Sequence, residues 1–251
     1  MRHHELLVFD LDDTLVDTSD VYWRARTGFV QALATQGIDP DTATEEFEKV
    51  DTLHIETMLF APQLYGKSMS VTYSNLLEQL NLAPSVIILE QITVLGRYVL
   101  DHLPEPIDGA HELLDWAVKR FQLALLTRGE DKLQRRKLEK ARLSKYFDIV
   151  QVVPYKDATT FRTIIKEADQ QPEATWVIGD SIKSDINPGL NAGAQCILYA
   201  YRHASYQWRQ EYGYSPVKPF YIINKLREAK DLLETPRSFL MNATMKSLRT
   251  I

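Results

Sequence analysis

Acidic residues that follow short apolar runs offer a set of ligands for a divalent cation. Asp10 and Asp12 come directly after one run, Asp180 and Asp185 after another, and Lys156 after a third. Brought into one crevice, these groups carry a net charge of −3, and two like charges about 4 Å apart repel by roughly 4 kcal/mol at an effective dielectric near 20. A divalent cation lowers this excess of negative charge. The hard cation Mg²⁺ suits carboxylates, a backbone carbonyl oxygen and water as ligands. The sequence therefore predicts a Mg²⁺ site, where phosphate is the usual remaining partner of the metal.

Neutral donors for an anion follow a further apolar run, at the predicted start of a helix. Thr127 carries a hydroxyl group, and the backbone N–H groups of Arg128 and Gly129 would point toward an anion there. Within the first acidic pair, side chains two residues apart just past a strand can point the same way. One carboxylate would then attack phosphorus, while the other exchanges a proton with the leaving or attacking oxygen. These residues predict a metal-assisted phosphoryl-transfer site.

Short apolar runs alternate with helical patterns over the region that carries these residues. Such runs fit strands that are buried on both faces, and their alternation with helices is typical of a parallel α/β sheet. Ligands of such sheets bind at the carboxyl ends of the strands, where the polar residues above occur. The predicted strands are Leu6–Phe9, Leu123–Leu126, Ile149–Val153, Trp176–Ile178 and Cys196–Tyr199, and the predicted helices are Glu130–Ala141, Thr159–Ala168 and one that begins near Ser184 and ends at Gly193.

The stretch between the first two predicted strands is much longer than a single crossover requires. A strand–helix–strand unit takes about 30 residues, whereas more than 110 residues separate Phe9 from Leu123. A few extra helices packed on the sheet would explain this length. We prefer a helical module inserted after the first strand, because Pro104 and Pro106 form a natural hinge at its end. Its predicted helices are Asp20–Thr35, Thr42–Leu59, Val71–Leu80 and Pro84–His102, with breaks at 37–40, 62–66 and 103–106.

This interpretation divides the chain into a core, an insertion and a tail. Residues 1–16 and 105–235 form the predicted catalytic core. Residues 17–104 form the predicted helical insertion. The last residues, 236–251, form a C-terminal tail.

Four short motifs stand at predicted strand ends, in a fixed order along the chain. They are Phe9-Asp10-Leu11-Asp12-Asp13-Thr14-Leu15, then Thr127-Arg128-Gly129, then Lys156, then Val177-Ile178-Gly179-Asp180-Ser181 with Asp185. Together they resemble the haloacid dehalogenase (HAD) superfamily over residues 5 to 200. The resemblance implies an α/β fold with a Rossmann-like parallel sheet flanked by helices, and an inserted all-helical cap of the C1 type.

The resemblance also implies a role for each matched residue. Asp10 would be the nucleophile, and Asp12 would be the general acid and base. Asp13 stands where many relatives have Gly, although Asp is also common there. The remaining roles are Mg²⁺ binding by Asp10, Asp180 and the backbone carbonyl of Asp12, phosphoryl binding by Thr127, Arg128 and Lys156, and orientation of Lys156 or a metal-bound water by Asp185.

These motifs predict a Mg²⁺-dependent phosphatase that acts on a small phosphate monoester. Asp12 disfavours a dehalogenase of the same superfamily, because displacement of chloride leaves no oxygen to protonate and those dehalogenases lack this Asp. A phosphomutase needs the same motifs, and a non-catalytic phosphate-binding or regulatory protein would keep the fold, so both stay alternatives. A signalling receiver domain does not fit, because it is much shorter and accepts phosphate after its third strand, where this chain has Pro154-Tyr155-Lys156.

Length and composition set broader limits. The 251 residues suffice for one large or two small domains, and 45% hydrophobic with 25% charged residues is an ordinary globular mixture. The net charge of −5 argues against nucleic-acid binding driven by net charge. The single cysteine, Cys196, cannot form an internal disulfide. No apolar run approaches a membrane span or the apolar region of a signal peptide, so a cytoplasmic protein without membrane or nucleic-acid partners is predicted. The pattern predicts neither an oligomeric state nor a particular ester.

Overall fold

The structure, a computed structural model, describes residues 5–58, 62–200, 215–218 and 220–235. The predicted tail at 236–251 and the predicted helix end at Leu59 lie outside the described residues. The described chain forms two compact units. The sheet unit contains the chain up to Asp17 and again from Glu105, and the helical unit is Thr18–Pro104.

The sheet unit is built on a sheet in which every pair of neighbouring strands is parallel. The predicted parallel α/β fold is therefore confirmed. The strand order is β3-β2-β1-β4-β5-β6, which places β1 between β2 and β4. The six strands formed by described residues are β1 (Leu6–Phe9), β2 (Gln122–Arg128), β3 (Ile149–Val153), β4 (Thr175–Gly179), β5 (Gln195–Tyr199) and β6 (Tyr221–Ile223).

Helices α1 to α4 form the helical unit, and α5 to α9 belong to the sheet unit. Among the described residues, none of these helices combines the length and apolar character needed to cross a bilayer. Their bounds are α1 (Thr18–Ala34), α2 (Pro40–Met58), α3 (Pro62–Leu80), α4 (Val86–Asp101), α5 (Ala110–Ala117), α6 (Asp131–Lys140), α7 (Ala158–Glu167), α8 (Asn187–Ala192) and α9 (Glu228–Glu234).

Alternate side chains of β1 enter two apolar layers on opposite faces of the sheet. Leu7 and Phe9 belong to a buried cluster with residues of α5, α6 and α9. Leu6 and Val8 belong to a second cluster with residues of α7 and α8. Because successive side chains of a strand point to opposite faces, a strand covered on both sides needs a continuous apolar run. The apolar run by which β1 was predicted therefore reflects the burial of both faces of this strand.

The helix predicted near Ser184 begins differently from the prediction. The residues Ile182–Ile186 form one turn of π-helix, and α8 follows it. In the π turn, the carbonyl oxygen of Ser181 accepts hydrogen bonds from the N–H groups of both Asp185 and Ile186, at 2.9 and 3.0 Å. The helix ends before Gly193, as predicted, where a φ of 96° favours glycine.

The helical unit contains an apolar core of its own, in which aromatic residues from three helices pack together. Phe29 of α1 and Phe47 of α2 have ring centroids 5.6 Å apart, and Phe47 and Tyr65 of α3 are 5.1 Å apart. The predicted break at 62–66 is wrong, because α3 begins at Pro62 and continues through Gly66. Proline is compatible with the first turn of a helix, where its missing N–H has no intrahelical partner.

The chain leaves and rejoins the sheet unit through two adjacent segments. Val16 and Pro106 form an antiparallel bridge. The N–H group of Asp17 donates a hydrogen bond to the carbonyl oxygen of Glu105, at 2.9 Å. The helical unit is therefore an insertion whose two ends are held together by backbone hydrogen bonding.

Candidate active site

The residues predicted to do chemistry lie at or after the carboxyl ends of strands β1 to β4. Asp10 directly follows β1, and its N–H group donates a hydrogen bond of 2.9 Å to the carbonyl oxygen of Ile178 in β4. Thr127 and Arg128 are the last two residues of β2, and Asp180 directly follows β4. Since β1 lies between β2 and β4, the three strand ends open at one edge of the sheet.

A buried lysine joins two buried carboxylates at this edge. The Lys156 ammonium group contacts Oδ1 of Asp10, and its Nζ lies 2.7 Å from Oδ1 of Asp185. The exposed fractions of the three side chains are 3% for Lys156, 7% for Asp10 and 2% for Asp185. One cation therefore balances only part of the charge of two anions. Buried charges are costly unless they are paired, so this cluster favours binding of a further cation.

Burial and neighbouring charges shift the pKa values in this cluster. Burial raises the pKa of Asp10 well above its usual range, and the charges of Asp185 and Asp12 raise it further, while Lys156 opposes them. Burial lowers the pKa of Lys156, but Asp10 and Asp185 outweigh it, so that this pKa lies above its usual range. Lys156 is therefore a cation at neutral pH. Additional positive charge beside Asp10 would favour the carboxylate form that a nucleophile requires.

Asp185 reaches this cluster from the π turn. Its Oδ2 accepts a hydrogen bond of 3.2 Å from the N–H group of Ser181, while its Oδ1 faces Lys156. Gly179, the last residue of β4, leaves the space that this side chain occupies, because a Cβ atom there would lie 2.4 Å from Cγ of Asp185. The predicted contact between Asp185 and Lys156 is present.

Three carboxylates form a group that fits a hard divalent cation. Asp10, Asp180 and Asp185 each offer one oxygen, and these oxygens lie within 4.8 Å of one another. An all-oxygen donor set suits Mg²⁺ better than a soft metal. Asp10 and Asp180 were predicted as ligands, and Asp185 lies close enough to the other two to join them.

Asp12 lies in a tight loop that follows β1. The next residue, Asp13, has a φ of 57°, in the left-handed region that favours glycine. Its N–H group donates a hydrogen bond of 2.8 Å to the carbonyl oxygen of Val16. Aspartate tolerates this conformation better than most residues, which explains how Asp can stand where many relatives have Gly.

The Asp12 carboxylate is bound by two residues of α6 that the sequence did not indicate. Lys137 Nζ lies 2.5 Å from Oδ1 of Asp12, and Gln134 Nε2 lies 2.6 Å from Oδ2. Gln134 Nε2 also lies 2.6 Å from Oγ1 of Thr127 and 3.1 Å from the carbonyl oxygen of Arg128. The structure thus joins Asp12, Thr127 and the Arg128 backbone through one amide group, while Asp10, Asp180, Asp185 and Lys156 form the charged cluster.

Comparison with known proteins supports the resemblance along most of the chain. A family model of haloacid dehalogenase-like hydrolases matches residues 4–193. Glyceraldehyde 3-phosphate phosphatase of Pyrococcus furiosus is 24% identical over 209 residues, which are 80% of this chain and 82% of the relative. Pyrimidine 5′-nucleotidase PynA of Streptococcus pneumoniae is 26% identical over 242 residues, which are 92% of this chain and 95% of the relative.

A solved structure gives the same assignment. A haloacid dehalogenase-like family hydrolase from Xanthomonas campestris superposes with a TM-score of 0.66 at 27% identity, over 79% of this chain and 83% of that one. The matching family model includes the segments that carry Asp10, Thr127, Lys156 and Asp180. The chain therefore belongs to the family of haloacid dehalogenase-like hydrolases.

Proposed function

We propose that this protein is a Mg²⁺-dependent phosphatase that hydrolyses a small phosphate monoester through an aspartyl-phosphate on Asp10. The observation that carries the proposal is the buried contact between Asp10 and Lys156 at the end of β1. A carboxylate beside a fixed cation is arranged to attack a phosphate anion, because the cation offsets the charge repulsion. The relatives named above, a glyceraldehyde 3-phosphate phosphatase and a pyrimidine 5′-nucleotidase, support this class of reaction.

The proposed reaction has two steps. First, a carboxylate oxygen of Asp10 attacks phosphorus, the ester P–O bond breaks, and the departing oxygen takes a proton from Asp12. Second, water attacks the phosphorus and gives a proton to Asp12, the bond between phosphorus and Asp10 breaks, and inorganic phosphate leaves. Asp10 and the protonated Asp12 are then restored. Lys156, the hydroxyl group of Thr127 and the backbone N–H of Arg128 would bind the phosphoryl oxygens in both steps.

The proposed Mg²⁺ ligands are Asp10, Asp180 and the backbone carbonyl of Asp12. When bound, the ion supplies positive charge that lowers the cost of bringing a phosphate dianion to a carboxylate. Asp185 would hold Lys156 in place, a role supported by their contact of 2.7 Å.

Asp12 supports phosphoryl transfer over carbon–halogen chemistry. Its hydrogen-bonded carboxylate is suited to exchange protons with an oxygen leaving group, and a halide needs no such partner. We assign substrate choice to the helical unit, in which residues 17–104 would form the cap. The phosphoryl-binding residues contact a group that all phosphate esters share, so discrimination between esters needs other residues.

Substitution of the nucleophile tests the proposal. Asp10→Asn keeps the size of the side chain and removes the attacking carboxylate, so phosphate release should fall by roughly 10³-fold or more. The assay measures phosphate released from a panel of sugar, nucleotide and glycolytic phosphates in the presence of Mg²⁺. Asp231→Asn, an exposed change on α9 of the sheet unit, is the matched control and should retain the wild-type rate. Undiminished turnover by the Asp10→Asn protein would refute the proposal.

A further inference from the structure

We propose that Gln134 and Lys137 are positioning residues that fix the Asp12 carboxylate for proton exchange at a set distance from the Thr127 hydroxyl group. This inference deepens the proposed function and rests on it. The two residues lie three positions apart on α6 and therefore share one face of that helix. Both are almost completely buried, with exposed fractions of 2% for Gln134 and 6% for Lys137.

The two contacts hold the carboxylate at both of its oxygens. Lys137 Nζ is 2.5 Å from Oδ1 of Asp12, and Gln134 Nε2 is 2.6 Å from Oδ2. A single contact leaves a carboxylate able to rotate about its last side-chain bond, whereas two contacts on different oxygens fix the plane of the group. The Asp12 side chain is itself 28% exposed, so one part of it faces solvent while α6 holds the rest.

Gln134 also couples Asp12 to the phosphoryl-binding part of the site. The same amide nitrogen is 2.6 Å from Oγ1 of Thr127 and 2.6 Å from Oδ2 of Asp12, and its two hydrogens can be donated to these oxygens, which lie closer than the carbonyl oxygen of Arg128 at 3.1 Å. Only 1% of the Thr127 residue is exposed, so little water competes with Gln134 for its hydroxyl group. A proton-exchanging carboxylate and a phosphoryl-binding hydroxyl group are thereby held at a spacing set by one side chain. Fixed spacing of this kind raises rates by keeping reacting groups in productive geometry.

The burial of Lys137 is more readily explained by this role than by stability. A buried ammonium group has a large desolvation cost, and apolar residues of similar volume often stabilise a fold equally well or better. Arg135, on the same helix, shows the alternative, because its side chain is 51% exposed and pairs with Asp131 at 2.9 Å. The helix therefore directs one basic residue to Asp12 and another to solvent.

Two esters with different leaving groups test the inference. The p-nitrophenolate leaving group departs without a proton, whereas an alkoxide needs one, and kcat/KM reports the steps up to phosphoryl transfer to Asp10. Lys137→Met and Gln134→Leu should each lower kcat/KM for an alkyl phosphate by about 10²-fold and for p-nitrophenyl phosphate by less than about 10-fold. Lys137→Arg should recover part of the loss, and Arg135→Met should leave both values unchanged.

A double-mutant cycle with Asp12→Asn separates positioning from a general structural effect. Lys137→Met should lower kcat for p-nitrophenyl phosphate in the wild-type background, because the second step still needs Asp12. In the Asp12→Asn background it should cause no further loss. Thermal unfolding of each variant checks that it is folded. If the Lys137→Met protein is not folded, Gln134→Leu takes its place in the double-mutant cycle.

The positioning role would be overturned if kcat/KM fell equally for both esters or for neither. It would also be overturned if the losses of kcat in the double-mutant cycle were additive. Each of these results would leave the phosphatase proposal intact. If the wild-type protein releases phosphate from neither these esters nor the wider panel, the phosphatase proposal fails, and the inference fails with it.

Discussion

Asp51 of α2 is a carboxyl group whose protonation depends on folding, since only 7% of the residue is exposed. Its Oδ1 accepts a hydrogen bond of 2.8 Å from the hydroxyl group of Ser68, whose oxygen also lies 2.9 Å from Nδ1 of His54. Burial raises the pKa of Asp51 to about 6, although the hydrogen bond from Ser68 and the charge of Arg26 both lower it. The serine stands between the acid and the histidine, so this arrangement supports the helical unit and is not a nucleophile–base pair.

The raised pKa of Asp51 predicts a pH-dependent stability. Because its folded value of about 6 lies above the unfolded value of 3.8, the folded state binds more protons in this window, and the unfolding free energy falls as pH rises through it. Such a shift is worth about 3 kcal/mol. Asp51→Asn removes the titration, so its unfolding free energy relative to wild type should rise by about 2 kcal/mol between pH 4 and pH 7, where most of the titration takes place. Urea unfolding at both pH values measures this, and a pH-independent difference would contradict it.

The sequence predicted the site residues that lie in motifs at or shortly after strand ends, and it missed the two that α6 contributes, Gln134 and Lys137. Asp10, Thr127 and Asp180 stand where apolar runs end, and the strand ends of a parallel sheet meet at one edge. Lys137 offers no comparable signal, because the sequence around it places several basic residues next to one another. Helical spacing places Lys137 on the same face of α6 as Leu138 and Ala141, but this spacing does not indicate that its ammonium group contacts Asp12.

Two glycines determine how closely α3 and α4 approach each other. A Cβ atom built on Gly66 would lie 3.0 Å from Cα of Gly96, and one built on Gly96 would lie 2.9 Å from Cα of Gly66. Gly66 lies in the predicted break at 62–66, and glycine is a poor helix former. Here its missing side chain serves the packing of two helices. Local propensity predicts a break where tertiary packing needs a small residue.

Substitution at this contact should loosen the helical unit. Gly96→Ala improves helix propensity by about 1 kcal/mol, but its methyl group would meet backbone atoms, and overpacking of this kind costs about 1–3 kcal/mol. We expect a net loss of unfolding free energy in urea titrations. Gln91→Ala, an exposed change on the same helix, should stay within about 0.5 kcal/mol of wild type. A Gly96→Ala protein more stable than wild type would show that the helices can separate without cost.

Across the molecule as a whole, the order of the strands assembles the site. Alternation of apolar runs and helices predicted a parallel sheet, but it did not predict the order β3-β2-β1-β4-β5-β6. The strand order depends on the direction in which each helical connection crosses from one strand to the next. It places the end of β1 between the ends of β2 and β4. Asp10 is therefore flanked by Thr127 on one side and Asp180 on the other.

The group of three carboxylates predicts that Mg²⁺ affects both activity and stability. Chelation with EDTA should abolish phosphate release, and added Mg²⁺ should restore it. Because a ligand that binds only the folded state stabilises it by mass action, the unfolding temperature should also rise with Mg²⁺ concentration. Asp180→Asn should reduce this rise, which calorimetry can measure without any substrate. Activity that survives chelation, with an unfolding temperature indifferent to Mg²⁺, would disprove the metal site.

The paired segments at Val16 and Pro106 have a consequence for how such a chain can be rebuilt. The chain segments before and after the helical unit are joined by a backbone hydrogen bond. An inserted segment therefore only needs two ends that lie close together. Closing a longer or shorter loop there changes the entropy only slowly with length. The whole stretch from Thr18 to Pro104 could thus be exchanged for a foreign module, or trimmed to a short turn, with the hydrogen-bonding register of the strands preserved.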